Sequence, residues 1–148
     1  MMNRRSWLKE SLGTLGASAW AAHGTLPTSL AQEARQRKLP PLRIEQVKTI
    51  LTAPAGIRLV VVKIETNEPG LYGLGCATFT QRARVVETAV DKYLRPFLLG
   101  KDVTQIEDIW QSSFVSSYWR NGPVLYNAIS GIDMALWDIL GKRAGMPV

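Results

Sequence analysis

Few side chains in this sequence are able to do chemistry. Cys76 is the single cysteine and His23 the single histidine of the 148 residues. One cysteine excludes an internal disulfide, and a lone histidine near the amino terminus leaves the later sequence without a His/Cys metal cluster or a Ser-His or Cys-His nucleophile pair. Asp133 and Asp138 resemble a general acid/base pair at first sight. Five positions apart on one helix, however, they point in different directions, and each is read as a surface or interdomain ion-pair partner. Cys76, inside a strand pattern, is read as a small buried side chain. Trp110 and Trp137, on helical patterns, are read as core.

Composition and charge bound the classes that remain. With 46% apolar and 20% charged residues, the chain has the balance of one globular domain. The net charge of +6 is concentrated at one end, because residues 1–41 hold +4 of it. In residues 42–148 the signs alternate, without the clustered basic face and interleaved aromatics of a nucleic-acid surface.

The first residues, MMNRRSWLKESLGTLGASAWAA, set Arg4-Arg5 ahead of an uncharged run from Leu12 to Ala22. This is the pattern of a twin-arginine export signal, with Asn and Trp where Ser/Thr and Phe are usual. The run is shorter than the roughly 20 apolar residues of a permanent span, so cleavage is expected rather than a stable membrane anchor. Two small-x-small sites occur, at residues 17–19 and 29–31, and cleavage after Ala31 is the reading adopted. Residues 1–31 are thus a signal segment for export to the periplasm. Residues 32–41, ending in Pro40-Pro41, form a linker, and residues 42–148 form the domain.

Within that domain, LRIEQVKTIL places Ile44, Val47 and Ile50 in imperfect alternation and predicts a first strand, turned by APAG. The β-branched run IRLVVVKIET, ending at NEPG, predicts a central strand and a tight hairpin. LYGLGCATF predicts a third strand, in which Gly73 and Gly75 permit a bulge or a close backbone approach. After Thr80 the apolar period becomes helical. Val85, Val86, Ala89, Val90, Tyr93 and Leu94 share one face, and Pro96 ends that helix or kinks its last turn. Thr104 and Glu107 match a capping box for a second helix with Ile106, Ile109, Trp110 and Phe114 buried. Pro123 opens a third helix, Leu125, Ile129, Ile132, Leu136, Ile139 and Leu140 form its stripe, and Gly145 with Pro147 stops it. The fold class is therefore α+β, a three-stranded antiparallel meander followed by three helices. Met134 and Trp137 lie off the stripe, so this last helix requires cover on a second side.

Three blocks in order, GLGCATF, IEDIWQ...YWRNGPV and NAISGIDMALWDILGKRAGMPV, resemble the amino-terminal capping domain of the enolase superfamily. Within it they are most similar to the mandelate racemase and muconate-lactonizing branch and its mannonate dehydratase-like sugar-acid dehydratases. The resemblance covers residues 42–148. It implies a following (β/α)8 barrel, absent from this sequence, that binds Mg²⁺ and carries the catalytic base. The implied reaction is removal of the proton next to a carboxylate, stabilisation of the enediolate by the metal, and β-elimination of water. It also implies a small sugar-acid substrate, this chain's own carboxy-terminal barrel as partner, and a homo-oligomer at full length. No catalytic residue and no metal ligand can be assigned in this chain, which alone is expected to be inert.

The same resemblance puts the loop after the third strand over an active site, which makes Thr80, Gln81 and Arg82 candidate substrate-binding residues. It places Trp119 near the pocket, with Arg120 beside it in the turn before the last helix. An indole packs on the C–H face of a sugar while its N–H donates one hydrogen bond. Mannonate dehydratases of this family carry Asn at the position of Thr80, and an acidic residue is common at that of Cys76, so a related sugar acid fits better than mannonate. Two alternatives stay open. One is a racemase, epimerase or cycloisomerase of the same superfamily. The other is a stand-alone, non-catalytic periplasmic interaction domain.

Overall fold

In the computed structural model, which describes residues 40–116, 118 and 120–148, the β-branched run at the middle of the sequence becomes the middle of the sheet. Strands β1 (Ile44–Thr52), β2 (Leu59–Thr66) and β3 (Tyr72–Cys76) pair antiparallel in the order β1-β2-β3. Val60, Val62 and Ile64 of β2 are fully buried on the inner face, where β1 contributes Val47 and β3 contributes Gly73 and Gly75. The imperfect alternation of β1 has a local cause. The register passes from Ile44↔Thr66 to Gln46↔Glu65, so Glu45 is an extra, bulged residue that puts Ile44 and Val47 on the same side. Beyond the bulge the period of two returns, and Ile50 is 45% exposed on the outer face.

The hairpin at 67–70 closes through Leu71 N–H to Glu68 O, with Gly70 at φ +82°. Cys76 projects outward from β3 and is exposed. This corrects the expectation of a buried thiol. The inward positions of β3 belong to the two glycines, and strand alternation sends Cys76 the other way.

Helix α1 begins as Ala83–Thr88, widens to a π-helical turn over Ala89–Leu94, and finishes as Arg95–Leu98. The wide turn lies directly ahead of Pro96, and Arg95 N–H bonds Val90 O, five residues back. A proline ring clashes with the carbonyl four residues before it. Widening the preceding turn relieves that clash, so the helix passes through Pro96 rather than ending there. Asp91 in this turn accepts hydrogen bonds from Thr49 of β1 and from Arg95 at 2.6 Å, which pins the helix to the sheet. Val86, Val90 and Leu98 are buried, whereas Val85 and Tyr93, both assigned to the apolar face, are exposed.

Helix α2 (Ile106–Val115) starts without the expected capping box. The hydroxyl and backbone N–H of Thr104 both donate to Asp102 Oδ1, at 2.7 and 2.9 Å, and no side chain caps Gln105, the residue preceding the helix. These two hydrogen bonds, the backbone one foremost, hold the Asp102 carboxyl below its ordinary value against the effect of burial, helped by the Arg43 charge. Asp102 thus organises the turn in the place foreseen for Thr104.

Helix α3 (Pro123–Ala144) does begin with proline and does end at Gly145, which is left-handed. Gly145 N–H bonds Lys142 O and Met146 N–H bonds Gly141 O, the paired reversal that satisfies the last carbonyls. Its buried side holds Ile129, Ile132, Leu136 and Ile139 as predicted, and also Ala128, Gly131 and Ala135. Leu125 is 36% exposed. Gly131 and Ala135 lie where α3 crosses β3. A Cβ built on Gly75 would stand 1.9 Å from Gly131 O, and one on Gly73 would stand 1.9 Å from Ala135 O. Helix and strand therefore touch backbone to backbone.

The outer edge of β3 is also closed. Leu74 N–H donates to Asp138 Oδ2 at 2.8 Å, and Lys142 donates to the same oxygen at 2.7 Å and to Tyr72 O. Burial opposes the charge on Asp138, but the bonds from Lys142 and Leu74 outweigh it and hold the carboxyl below its ordinary value. The expected ion pair of Asp138 is therefore present, with Lys142 as its partner.

We predict that Gly75→Ala destabilises the domain by roughly 3 kcal/mol, the upper end for overpacking a tight contact. Urea unfolding followed by far-ultraviolet circular dichroism checks this, and an unchanged midpoint would mean that α3 lifts off β3 at little cost.

Candidate functional site

The loop that leaves β3 is shaped by the way the strand ends. Ala77 N–H still bonds Val60 O, but the next ladder position is taken over by a side chain, the Thr78 hydroxyl accepting from Val60 N–H at 3.0 Å. The Cys76 thiol donates to the same oxygen. With pairing ended, Thr80–Arg82 forms a single 3-10 turn that leads into α1. Thr80 is half-buried and donates to Gln81 Oε1, while Gln81 and Arg82 are exposed.

Opposite this loop stands the connection between β1 and β2. It contains the short turn Pro54–Gly56, in which Ala55 has φ 50°. A non-glycine residue in the left-handed region is uncommon and marks a tightly constrained turn. Between the two walls lies an open groove of about 450 Å³, lined by Leu51, Leu59, Arg58, Gln81, Arg82 and Arg84 among others. No carboxylate is among its lining residues.

Of the sequence-predicted residues, the structure brings Gln81 and Arg82 to this groove but not Thr80, and Arg120 lines a different pocket. That second pocket, of about 350 Å³, sits over the π-helical turn of α1 and is walled by Tyr93, Leu94, Phe114 and Ile129. Trp119 lies outside the described residues. The two predicted segments therefore do not share a cavity. Sequence reasoning missed Arg58 and Arg84. The antiparallel register carried a signal for Arg58, since pairing Val61 with Cys76 runs Arg58 toward the residues that follow the strand.

A third surface lies across α2 and α3. Trp110 and Trp137 are 39% and 48% exposed, contrary to the reading of both as core residues. The reason is that α2 and α3 pack through Ile106, Ile109, Ile132 and Leu136, which leaves the indoles on the rim. They border a shallow depression with Asp108, Gln111 and Asp133. Trp110 stacks on Phe114 with ring centroids 5.2 Å apart. Asp133 makes no ion pair among the described residues, unlike the expectation, and burial raises its pKa. Among the described residues no three His, Cys, Asp or Glu side chains come together as a metal-holding set. No helix of the described residues is long and apolar enough to cross a membrane.

Comparison with known proteins places this geometry in a family. Residues 28–148 match the model of the mandelate racemase / muconate lactonizing enzyme, N-terminal domain. A D-galactonate dehydratase family member from Salmonella enteritidis PT4 is 72% identical over 111 residues, which are 75% of this chain and 26% of that protein. One from Pantoea ananatis is 76% identical over 107 residues, 72% of this chain and 26% of that protein. Among solved structures, an enolase from Pantoea ananatis with bound D-gluconate and Mg is similar with a TM-score of 0.69 and 76% identity, over 70% of this chain and 25% of that one. An enolase-superfamily member from Salmonella Typhimurium is similar with a TM-score of 0.63 and 34% identity, over 70% of this chain and 26% of that one. The chain spans about a quarter of the length of these relatives.

The raised pKa of Asp133 has a definite sign for stability. A carboxyl whose folded pKa exceeds its unfolded value of about 3.9 favours folding most below that value, and the contribution is lost as pH rises through the folded pKa. Asp133→Asn should therefore raise the melting temperature at pH 7, with the gain fading near pH 3. Scanning calorimetry at both pH values checks this, and a lowered melting temperature at pH 7 would instead mean that the carboxylate has a stabilising partner.

Proposed function

The chain belongs to the mandelate racemase / muconate lactonizing enzyme N-terminal domain family, and from this we propose that it is the substrate-selecting lid of a Mg²⁺-dependent sugar-acid dehydratase. The observation that carries the reading is the 72–76% identity to D-galactonate dehydratase family members over about three quarters of the chain. A Pantoea ananatis relative holding D-gluconate and Mg supports the class of substrate.

Among the described residues no three His, Cys, Asp or Glu side chains come together, and on this reading Mg²⁺ is held by the barrel domain that the family resemblance implies. The contribution of the chain's own residues is to bind and to exclude water. Gln81 and Arg82, in the turn that follows β3, present an amide and a guanidinium to the polar end of a sugar acid. The exposed Met134 and Trp137 on α3 form the surface that the barrel covers, which gives that helix its second apolar side a partner. The reaction is loss of the proton next to the carboxylate followed by loss of water. At full length the protein is a homo-oligomer. Arg4-Arg5 and the uncharged run after them direct it through the twin-arginine route to the periplasm.

A chimera tests the lid reading. The 148 residues are joined to the barrel of the Pantoea ananatis relative and offered D-gluconate and D-galactonate with Mg²⁺. We expect formation of a 2-keto-3-deoxy acid that is abolished by chelation, and no turnover by the 148 residues alone. Epimerisation without dehydration would move the assignment to the racemase branch. A folded chimera inert toward every hexonate, beside a monomeric chain with no tendency to associate, would favour a stand-alone interaction domain.

For the leader, replacing Arg4-Arg5 by two lysines should stop export of a fused reporter to the periplasm by at least about tenfold, read by fractionation. Undiminished export would remove the twin-arginine assignment.

A further inference from the structure

We infer that the depression across α2 and α3 receives a guanidinium from the surface that covers α3, an arginine side chain of the barrel set against the Trp110 and Trp137 indoles and the Asp133 carboxylate. That the covering surface is the barrel rests on the lid reading. The cation site itself does not.

Asp133 and Trp137 stand four positions apart and share one side of α3. Glu107, Asp108, Trp110 and Gln111 of α2 complete a shallow depression of about 490 Å³ with them. Its lining holds no Lys or Arg, α2 has none, and the first on α3 is Lys142. Glu107 and Asp108 lie in the first turn of α2, where the free backbone N–H groups favour negative charge, so the helix itself accounts for them. Asp133 is different. It sits in the middle of α3, where the helix dipole gives a carboxylate nothing, and it makes no ion pair or side-chain hydrogen bond among the described residues. Burial already disfavours its charge.

These neighbours restrict what can cover α3. Both indoles are exposed, as is Met134 beside them, and apolar cover would suit those three. A purely apolar partner, however, would shut the Asp133 carboxylate away from water without a counter-charge, and an unpaired buried charge is strongly unfavourable. A cation removes that cost and gains from the indoles as well, because the face of an aromatic ring attracts positive charge. A guanidinium suits this mixture better than an ammonium. It is planar and weakly hydrated, it stacks on a ring, and its fork gives a carboxylate two parallel N–H bonds. The second side of α3 thus calls for a positive charge at one place as well as for apolar surface around it.

The test labels the 148-residue chain with fluorotryptophan and titrates it with N-acetylarginine amide, using N-acetylcitrulline amide as the uncharged isostere. We expect saturable shifts of the Trp110 and Trp137 fluorine signals with the arginine compound alone. Binding should weaken about fivefold in Asp133→Asn and in Trp137→Phe, the latter read at Trp110, with circular dichroism confirming that both variants fold. An equal response to the two compounds, or an affinity untouched by either variant, would overturn the cation site. The occupant is then tested in the chimera with the barrel of the Pantoea ananatis relative. With the barrel in place the two signals should no longer respond to the arginine compound, and a response as strong as in the chain alone overturns the barrel as occupant. Neither step reads turnover. A folded but inert chimera therefore counts against the lid reading without touching the cation site, and an active one does not rescue a depression that ignores the guanidinium.

Discussion

Helix α3 lies on β3 at a distance that only glycine permits. With Gly131 and Ala135 carbonyls 1.9 Å from where Cβ atoms of Gly75 and Gly73 would stand, the contact is between two backbones. Everything else is arranged around that approach. It brings Ile132, Leu136 and Ile139 down onto the Val62 and Ile64 face of the sheet. It also brings Asp138 near enough to take the Leu74 N–H, so the strand edge is not left as a template for another strand. α2 packs against α3 through Ile106 and Ile109, and Met134 and Trp137 remain partly exposed beside that contact.

Much of this was legible in the sequence because it rests on periodicity and on residues with few conformational options. The three strands, the three helices, Pro123 at the start of α3 and the Gly145 stop all belong to that class. The close approach at Gly73 and Gly75 was open as one of two readings. What resisted reading was contingent on neighbours. The bulge at Glu45 depends on pairing with β2, and the hold of Asp91 on the sheet depends on Thr49 of a strand some forty residues away. Asp102 displaced Thr104 as turn organiser because segment 100–103 runs alongside residues 42–44, a contact between positions nearly sixty residues apart. Cys76 was misjudged because its face of β3 was settled by the glycines beside it.

The candidate site divides in the same way. Gln81 and Arg82 were reached through the family resemblance and do line the groove. Thr80 turns aside onto Gln81, and Arg120 faces another pocket over the π-helical turn. Arg58 belongs to the groove through sheet register alone, since nothing in its local sequence, IRLVV, distinguishes it from any exposed residue at a strand end.

The left-handed turn at Gly145 also sets a direction of travel. Residues 146–148 double back over Gly141, whose hydrogen leaves no room for a methyl, with Val148 and Met146 already within 3 Å of where one would sit. Gly141 is one helical turn beyond Trp137, and Trp137 is close to one turn beyond Met134. The backbone leaving the helix is thus steered across the same stripe that the indole and thioether occupy. A single dihedral angle, φ 66°, acts as the pivot of that trajectory, so the uncovered side of α3 and the course of the polypeptide past it are specified together.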